Sequence, residues 1–369
     1  VGSPLRVLHV VVNMNRGGAE TLIMNLYRNI DRSKVQFDFL TCKPGVFDDE
    51  IIKMGGTIHR ISYVSEVGHF KYIQELDQFF SGHQNYKIVH SHMDKMSGIV
   101  LRSAKKAGIP IRISHSHNTQ SEGGLPARTY KWMAGKLIIP NSTSFFACSN
   151  YAAKWLFNKK SGLTRILKNG IEFDKFSYSS EMRKQVREEL KLNQNNFVLG
   201  HVGRFAYQKN HSFLIDVFAD FCKVNENAVL LLVGDGPLRK EIENKVRDLQ
   251  LDNKVKFLGV RSDINRILQG VDLFVFPSLH EGLPVSLIEA QGAGLPCLIS
   301  DQISPEVDLG MNLVEFVSLS DKSLWAGKLD RMALSDTSRR SFREPFKTQG
   351  YDITATALEI EAFYLSVAG

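Results

Sequence analysis

One pattern constrains this chain more than any other. An apolar strand, a glycine turn and a helix follow one another at the start, and the strand-to-helix alternation restarts past the middle. Residues 6–13 are β-rich and apolar and run into Asn15-Arg16-Gly17-Gly18; residues 19–28 then carry helical spacing. Glycine permits the tight turn and lets backbone approach a ligand, and the three pieces together open a doubly wound α/β domain. Further strands are predicted at 37–41, 57–61, 87–92, 111–115 and 144–148, with helices at 98–107 and 150–157 among those between them. Residues 177–196 are polar and hold a charged helix at 181–190, and a new apolar strand follows at 197–203. Strands at 229–234, 254–259, 273–277 and 296–300 then alternate with helices at 210–224, 237–249, 264–268 and 284–293. Pro237 and Pro284 read as first-turn residues, where proline is favoured. A last helix is predicted at 352–367, with Ile353, Ala357, Ile360 and Tyr364 on one stripe. Alternation of this kind predicts parallel sheets with helices on both faces.

Length supports the same division. A chain of 369 residues exceeds one ordinary core, so two α/β domains are expected, 1–172 and 173–349, joined near 170–180. Residues 1–172 carry 23 Lys and Arg against 12 Asp and Glu, a net of +11, while the rest of the chain nets −4. A basic first half calls for an anionic partner, such as a membrane surface, a phosphorylated lipid or nucleic acid; a solvated basic surface accounts for it equally well. The four cysteines, Cys42, Cys148, Cys222 and Cys297, form no CxxC pair. That argues against a zinc site or a disulfide framework and suits the cytosol. No apolar run approaches the roughly 20 residues that span a bilayer. No signal peptide is visible, and Val1 to Pro4 reads as a tag scar or a trimmed start.

Several residues stand where chemistry would need them. Arg204 and Lys209 share a loop after the strand ending at Gly203. Ligands in open α/β sheets bind outside the carboxyl ends of strands. An Arg fork and a Lys point charge in such a loop can clamp a diphosphate and stabilise its departure without a metal; exposed loop cations look the same in sequence. Glu281 precedes the helix at 284–293 and Glu289 lies within it, among apolar and small residues. The start of that helix offers backbone amides, at Val285, Ser286 and Leu287, to a phosphate. A buried Glu289 needs a partner, which two neighbouring ribose hydroxyls or internal donors would supply. His90-Ser91-His92 and His115-Ser116-His117-Asn118 end different strands, with Asp94 the one carboxylate at ligand spacing. A metal is not expected there; a histidine contacting a sugar hydroxyl fits better. Gly17-Gly18 is not GxGxxG, so no classical NAD fingerprint is present, and Gly234-Asp235-Gly236-Pro237 is a second tight strand-to-helix turn.

Taken together these residues resemble a known family. Asn15-Arg16-Gly17-Gly18-Ala19-Glu20, Ser114-His115-Ser116-His117-Asn118, Asn169-Gly170-Ile171-Glu172, Gly203-Arg204 with Lys209-Asn210, Gly234-Asp235-Gly236-Pro237-Leu238, and Glu281 with seven residues before Glu289 occur in this order. The whole chain is similar to family 4 of the retaining glycosyltransferases, and within it to bacterial exopolysaccharide and capsule enzymes. The resemblance implies the GT-B fold, in which two Rossmann-like domains face each other across a cleft and the final helix, 350–369 here, crosses back to the first domain. It implies that the second domain holds a nucleotide-sugar, expected to be a UDP-sugar with a GDP-sugar as the alternative, and the first domain a glycan or polyprenyl-linked acceptor. Arg204 and Lys209 would then hold the diphosphate, Glu281 the transferred sugar and Glu289 the ribose. Gly17, Gly18, Gly234, Gly282, Leu283, Pro284, Val285 and Ser286 would complete the donor site. His117 would lie beside the reacting centre, with Asn118 on the acceptor side where many relatives carry Asp. The resemblance further implies a front-face retaining mechanism with no metal and no other cofactor.

Exopolysaccharide assembly on a polyprenyl-diphosphate carrier would place the enzyme in the cytoplasm, at the inner face of the membrane. Arg102, Lys105, Lys106, Arg128, Lys131, Lys136, Lys154, Lys159 and Lys160 would meet anionic lipid, and Trp155, Leu156 and Phe157 would dip into the interface. A phosphorylase or sugar-nucleotide epimerase on the same architecture, or a non-catalytic sugar-nucleotide-binding subunit, are the rival readings. Nucleic acid is not an expected partner, since the basic excess comes without a recognised motif.

Overall fold

The computed structural model describes residues 3–121, 123–334, 339 and 343–369; Val1 and Gly2, read from sequence as part of a tag scar or a trimmed start, lie outside them. The chain divides into two compact units. One runs to Gly170 and takes in Gly350–Gly369; the other is Ile171–Gln349.

The first unit is built on a seven-stranded sheet of β1 (Leu5–Val10), β2 (Val35–Thr41), β3 (Ile58–Arg60), β4 (Ile88–Ser91), β5 (Ile111–Ser116), β6 (Ser144–Ala147) and β7 (Arg165–Ile166). Its order is β3-β2-β1-β4-β5-β6-β7, and every neighbouring pair is parallel. The second unit repeats the scheme with β8 (Phe197–Val202), β9 (Ala228–Val233), β10 (Val255–Gly259), β11 (Leu273–Phe276), β12 (Cys297–Ser300) and β13 (Val314–Val317). Its six strands run β10-β9-β8-β11-β12-β13, again all parallel. The strand order reverses between β1 and β4 and between β8 and β11. Those are the switch points where doubly wound sheets bind ligands.

Parallel strands covered on both faces read as continuous apolar runs. β9, Ala228 to Val233, is buried at every residue, and so is β2 from Val35 to Thr41. Alternation then sorts the side chains of the first sheet. Val7 and Val11 join Phe37, Phe39, Ile88, Ile113 and Phe146 under the helices Gly18–Asn29 and Ile353–Ala368. Leu8, Val10, Leu40 and Val89 face the other way, under Val64–Gly82 and Ser97–Lys106. The final helix contributes Ile353, Ala357, Ile360, Phe363 and Tyr364 to the first core. Full burial of such side chains contributes about 1.5–3 kcal/mol each. Its Glu361 carboxylate accepts the Asp31 amide at 2.8 Å, and Asp352 caps its start by accepting the Thr354 amide at 2.9 Å.

Two details differ from the sequence expectation. Pro237 does not open a helix: Pro237 and Leu238 form a turn, and the helix is Arg239–Asp248. Pro284 sits one residue before Val285–Gly292, in extended backbone as its N-cap. The strands β7 and β13 were not anticipated. β7 has two residues, and the polar Glu315 interrupts the apolar run of β13.

Candidate active site

In the second unit the site grows from the switch point. β8 ends at Val202, and the chain turns through Gly203, Arg204 and a short 3-10 turn, Tyr207–Lys209, into the helix His211–Phe221. The neighbouring strand β11 ends at Phe276 and leads to Ser278, His280 and Glu281. The two loops are tied together. The Leu279 amide donates to the Gln208 carbonyl at 2.8 Å, and the Gln208 amide nitrogen Nε2 donates to the His280 carbonyl at 2.8 Å. Lys209 Nζ then donates to Glu281 Oε1 at 2.6 Å, with both side chains largely withdrawn from solvent. The ammonium also lies 4.6 Å from the centre of the Phe276 ring, a cation–π distance. Sequence reasoning assigned Lys209 and Glu281 to separate tasks and missed that they touch. The strand order is the signal that joins them: 72 residues separate the pair, but their strands are adjacent.

Arg204 differs from Lys209. It is exposed, and among the described residues no acceptor meets its guanidinium. The loop that carries it is braced by glycines. Gly234 has a φ of +136°, and a Cβ there would stand 2.1 Å from the Gly203 carbonyl oxygen. A Cβ on Gly236 would stand 2.5 Å from the carbonyl oxygen of Phe205. The strand ends of β8 and β9 therefore pack backbone against backbone, which only glycine allows.

Glu289 lies on the helix Val285–Gly292, partly buried, and among the described residues no donor reaches its carboxylate. Burial without a partner pushes its pKa up to about 7. Gly282, Leu283, Pro284 and Val285 are buried beside it and Ser286 is half-buried. At the start of that helix the Leu287 amide is already engaged, donating to the Pro284 carbonyl at 3.1 Å. The anion-binding amides named from sequence thus reduce to Val285 and Ser286. Among its described residues the second unit therefore presents an unpaired cation, a buried ion pair, two first-turn amides without a backbone acceptor and a carboxylate without a donor, all following from β8, β11 and the helix after it.

The first unit carries the other residues singled out from sequence. Gly17 caps the helix Gly18–Asn29, and a Cβ on it would collide with the Glu20 carboxylate at 2.2 Å, whereas Gly18 has open space around it. His117 follows β5. Its amide donates to Asp94 Oδ1 at 3.0 Å, and the Asn118 side-chain oxygen accepts the Thr119 amide at 2.9 Å.

The two His-Ser-His segments are not separate. β4 and β5 are neighbours, and β1 lies beside β4 with His9 opposite His90. Residues two apart share a face of a strand, so His9, His90, His92, His115 and His117 stand on one face as a single array. His9 Nδ1 lies 2.9 Å from His92 Nε2, and His92 Nδ1 lies 2.8 Å from His117 Nε2. His90 Nε2 lies 3.1 Å from His115 Nδ1, and its Nδ1 lies 2.7 Å from the Tyr364 hydroxyl. Burial drives all five imidazoles below their ordinary range, His9 and His117 to about 3, so the array is neutral. Among the described residues, the triads His9, His90, His92 and His92, His115, His117 bring ring nitrogens within 4.8 Å of one another. Four of those nitrogens, however, are already taken up by the two hydrogen bonds linking His9, His92 and His117.

The surface expectation needs one correction. Phe157 is buried and packs against Phe145 at 5.1 Å, because the helix Asn150–Phe157 turns its apolar face inward. Trp155 and Leu156 are half-buried, and the Lys95 ammonium lies 5.1 Å from the Trp155 ring. Exposed apolar residues beside the basic side chains include Leu125, Trp132 and Met133 on the helix Leu125–Gly135, among Arg128, Lys131 and Lys136. No helix among the described residues is long and apolar enough to cross a membrane.

With this geometry in place, the chain can be compared with known proteins. A profile described as Glycosyltransferase Family 4 matches residues 16–175, and one described as Glycosyl transferases group 1 matches 182–344. The putative glycosyltransferase EpsF of Bacillus subtilis is 38% identical, covering 95% of this chain and 94% of its own. The capsular polysaccharide biosynthesis glycosyltransferase CapH of Staphylococcus aureus is 27% identical over 98% of this chain and 99% of its own. An Escherichia coli UDP-Gal:alpha-D-GlcNAc-diphosphoundecaprenol alpha-1,3-galactosyltransferase is 31% identical over 59% of this chain and 58% of its own. Among solved structures, Anabaena Alr3699/HepE in complex with UDP-glucose superposes with a TM-score of 0.80 at 19% identity, covering 98% of this chain and 99% of that one. That likeness carries the fold, two Rossmann-like domains of the GT-B class, and the sequence relatives carry the family. The chain belongs to family 4 of the GT-B glycosyltransferases.

Proposed function

We propose that this glycosyltransferase moves a hexose or N-acetylhexosamine from a UDP-sugar to a hydroxyl of a glycan or polyprenyl-linked acceptor, with retention and without a metal, in exopolysaccharide or capsule synthesis. The observation that carries the reading is the set of unmet groups in the second unit. Among the described residues Arg204 meets no anion and the Glu289 carboxylate meets no donor. A nucleoside diphosphate brings both: phosphate oxygens for Arg204 and the Val285 and Ser286 amides, ribose hydroxyls for Glu289. Lys209 places a fixed positive charge beside the diphosphate, and Glu281 orients that lysine while accepting from a sugar hydroxyl. Charge developing on the leaving diphosphate is then stabilised by side chains already in position. The E. coli relative, by its name, forms an alpha linkage from UDP-Gal on a diphosphoundecaprenol carrier, which supports the donor, the acceptor and retention alike.

A panel of UDP- and GDP-sugars with a short polyprenyl-diphosphate glycan acceptor tests this directly. Acceptor-dependent UDP release, an α-anomeric proton in the product and full activity in excess EDTA are expected. Strict dependence on Mg²⁺ or Mn²⁺, or an inverted product, rejects the mechanism; sugar phosphate formed from inorganic phosphate supports a phosphorylase instead. Peripheral attachment to the cytoplasmic face of the membrane is part of the same reading, and its carrier is the exposed helix Leu125–Gly135. Vesicles with anionic lipid should retain the protein in a salt-sensitive way, and Trp132→Ala with Met133→Ser should weaken that retention several-fold.

A further inference from the structure

We propose that His9 and His92 are positioning residues which hold His117 in its Nδ1–H tautomer, so that His117 presents a hydrogen-bond donor, and not a base, to an oxygen of the sugar or acceptor. The identity of that oxygen rests on the glycosyl-transfer reading above; the tautomer does not.

The three rings form a chain with two links, His9 Nδ1 to His92 Nε2 at 2.9 Å and His92 Nδ1 to His117 Nε2 at 2.8 Å. A neutral imidazole has one N–H and one bare nitrogen. Each link needs one of each, so the chain has only two consistent polarities. In one, all three rings carry their proton on Nδ1; in the other, all three carry it on Nε2. Protonated rings are excluded by burial, which lowers the pKa of each.

The ends of the chain choose between the two. Neither His9 Nε2 nor His117 Nδ1 has a partner among the described residues. His9 is fully enclosed, its ring 4.1 Å from that of Phe37 and 5.8 Å from that of Phe39. An N–H at that end would be a buried donor with nothing to receive it, for as long as the protein is folded. Orphaned buried N–H groups are rarer than under-used acceptors. His117 stands instead one residue past the carboxyl end of β5, held there by its amide on Asp94; its Nδ1 is covered like His9 Nε2, but the residue as a whole is only half-buried and sits at the end of the sheet where doubly wound folds bind ligands. The Nδ1–H polarity leaves the bare nitrogen in the closed core and puts the unmet N–H at the carboxyl edge of the sheet, on the side where a ligand oxygen would approach. It also closes the alternative of His117 as a base through Nε2, because that nitrogen already accepts from His92.

Ring-¹⁵N-histidine labelling of the full chain tests this. Long-range ¹H–¹⁵N ring correlations, assigned by single His→Gln variants, should show His9, His92 and His117 all protonated on Nδ1. Protonation of the three on Nε2 overturns the proposal, and this readout needs no turnover. A transition metal found at one equivalent in the purified protein and lost in His92→Phe also overturns it, by replacing the chain with a metal site. In the enzyme assay, His92→Phe should lower kcat by roughly tenfold or more, with the nucleotide-sugar KM held within about twofold. His117→Asn, whose side-chain N–H lies near the place of Nδ1, should retain at least about tenfold more activity than His117→Asp, which donates nothing. Equal loss in those two variants counts against a donor role. Absence of any transfer activity would count against the functional reading and leave the tautomer measurement standing.

Discussion

At the scale of single residues, Glu289 makes the sharpest demand. Its pKa of about 7 is raised above the ordinary carboxyl value by burial alone. The folded chain therefore holds a proton that the unfolded chain releases near pH 4.5, and the associated stability is full below that pH and lost as pH rises to about 7. Glu289→Gln should raise the melting temperature at pH 8, for a gain of about 1–3 kcal/mol, while abolishing the thermal shift produced by UDP. Ribose hydroxyls bind the ionised carboxylate, so in the native protein UDP binding should expel a proton below pH 7 and tighten up to that pH. Calorimetry in buffers of different ionisation enthalpy measures both. An unchanged melting temperature in Glu289→Gln would remove the desolvation argument. The residue was legible in the sequence as a carboxylate among apolar neighbours. Its lack of a protein partner was not, because that depends on what the fold leaves beside it.

Among the elements, the loops after β8 and β9 show why glycine stands where it does. Gly234→Ala asks for a left-handed backbone and places a methyl group against the Gly203 carbonyl. Backbone cannot yield as a side chain can, so a loss of about 3 kcal/mol or more is expected, read by urea denaturation. The damage should spread to Arg204, whose loop starts at Gly203, so UDP affinity falls in the folded fraction as well. Gly18→Ala, which meets open space, should leave stability within about 0.5 kcal/mol. Element existence was readable because apolar runs and helical spacing are local. The proline positions and β13 were missed for the same reason: a proline before a helix can be its cap or its first residue, and a strand with a central glutamate is recognised only once its neighbour β12 is there to pair with it.

For the molecule as a whole, the first unit should lose stability to acid faster than the second, where His201 and His211 are the imidazoles that burial lowers. The first unit holds five imidazoles neutral in its interior. Below about pH 6.5 the unfolded chain binds protons that the folded chain refuses, so stability falls as pH falls, by about 1.4 kcal/mol per pH unit for each histidine. Hydrogen exchange should therefore show β1, β4 and β5 opening between about pH 6 and 5, ahead of β8, β9 and β11, where the cost of His201 and His211 is partly offset by Glu289. Simultaneous opening of both sheets would mean that the array does not control acid stability. The final helix belongs to this behaviour: Tyr364, 274 residues along the chain from His90, supplies the hydroxyl that His90 meets.

By itself the sequence determined the class of fold and the number of units, and it nominated residues for chemistry without showing which of them meet. Apolar periodicity, glycine turns and loop cations are properties of neighbours along the chain, and neighbours are what a sequence displays. Tertiary structure decided the rest. Strand order β3-β2-β1-β4-β5 brought His9, His92 and His117 into one hydrogen-bonded line, and the order β9-β8-β11 set Lys209 against Glu281. Parallel crossovers join residues separated by tens of positions, and no local spacing records which strand will lie beside which. The strand-to-helix alternation that opens each half thus named the scaffold, and the sheet it built chose which of its polar groups meet each other and which stay free for a ligand.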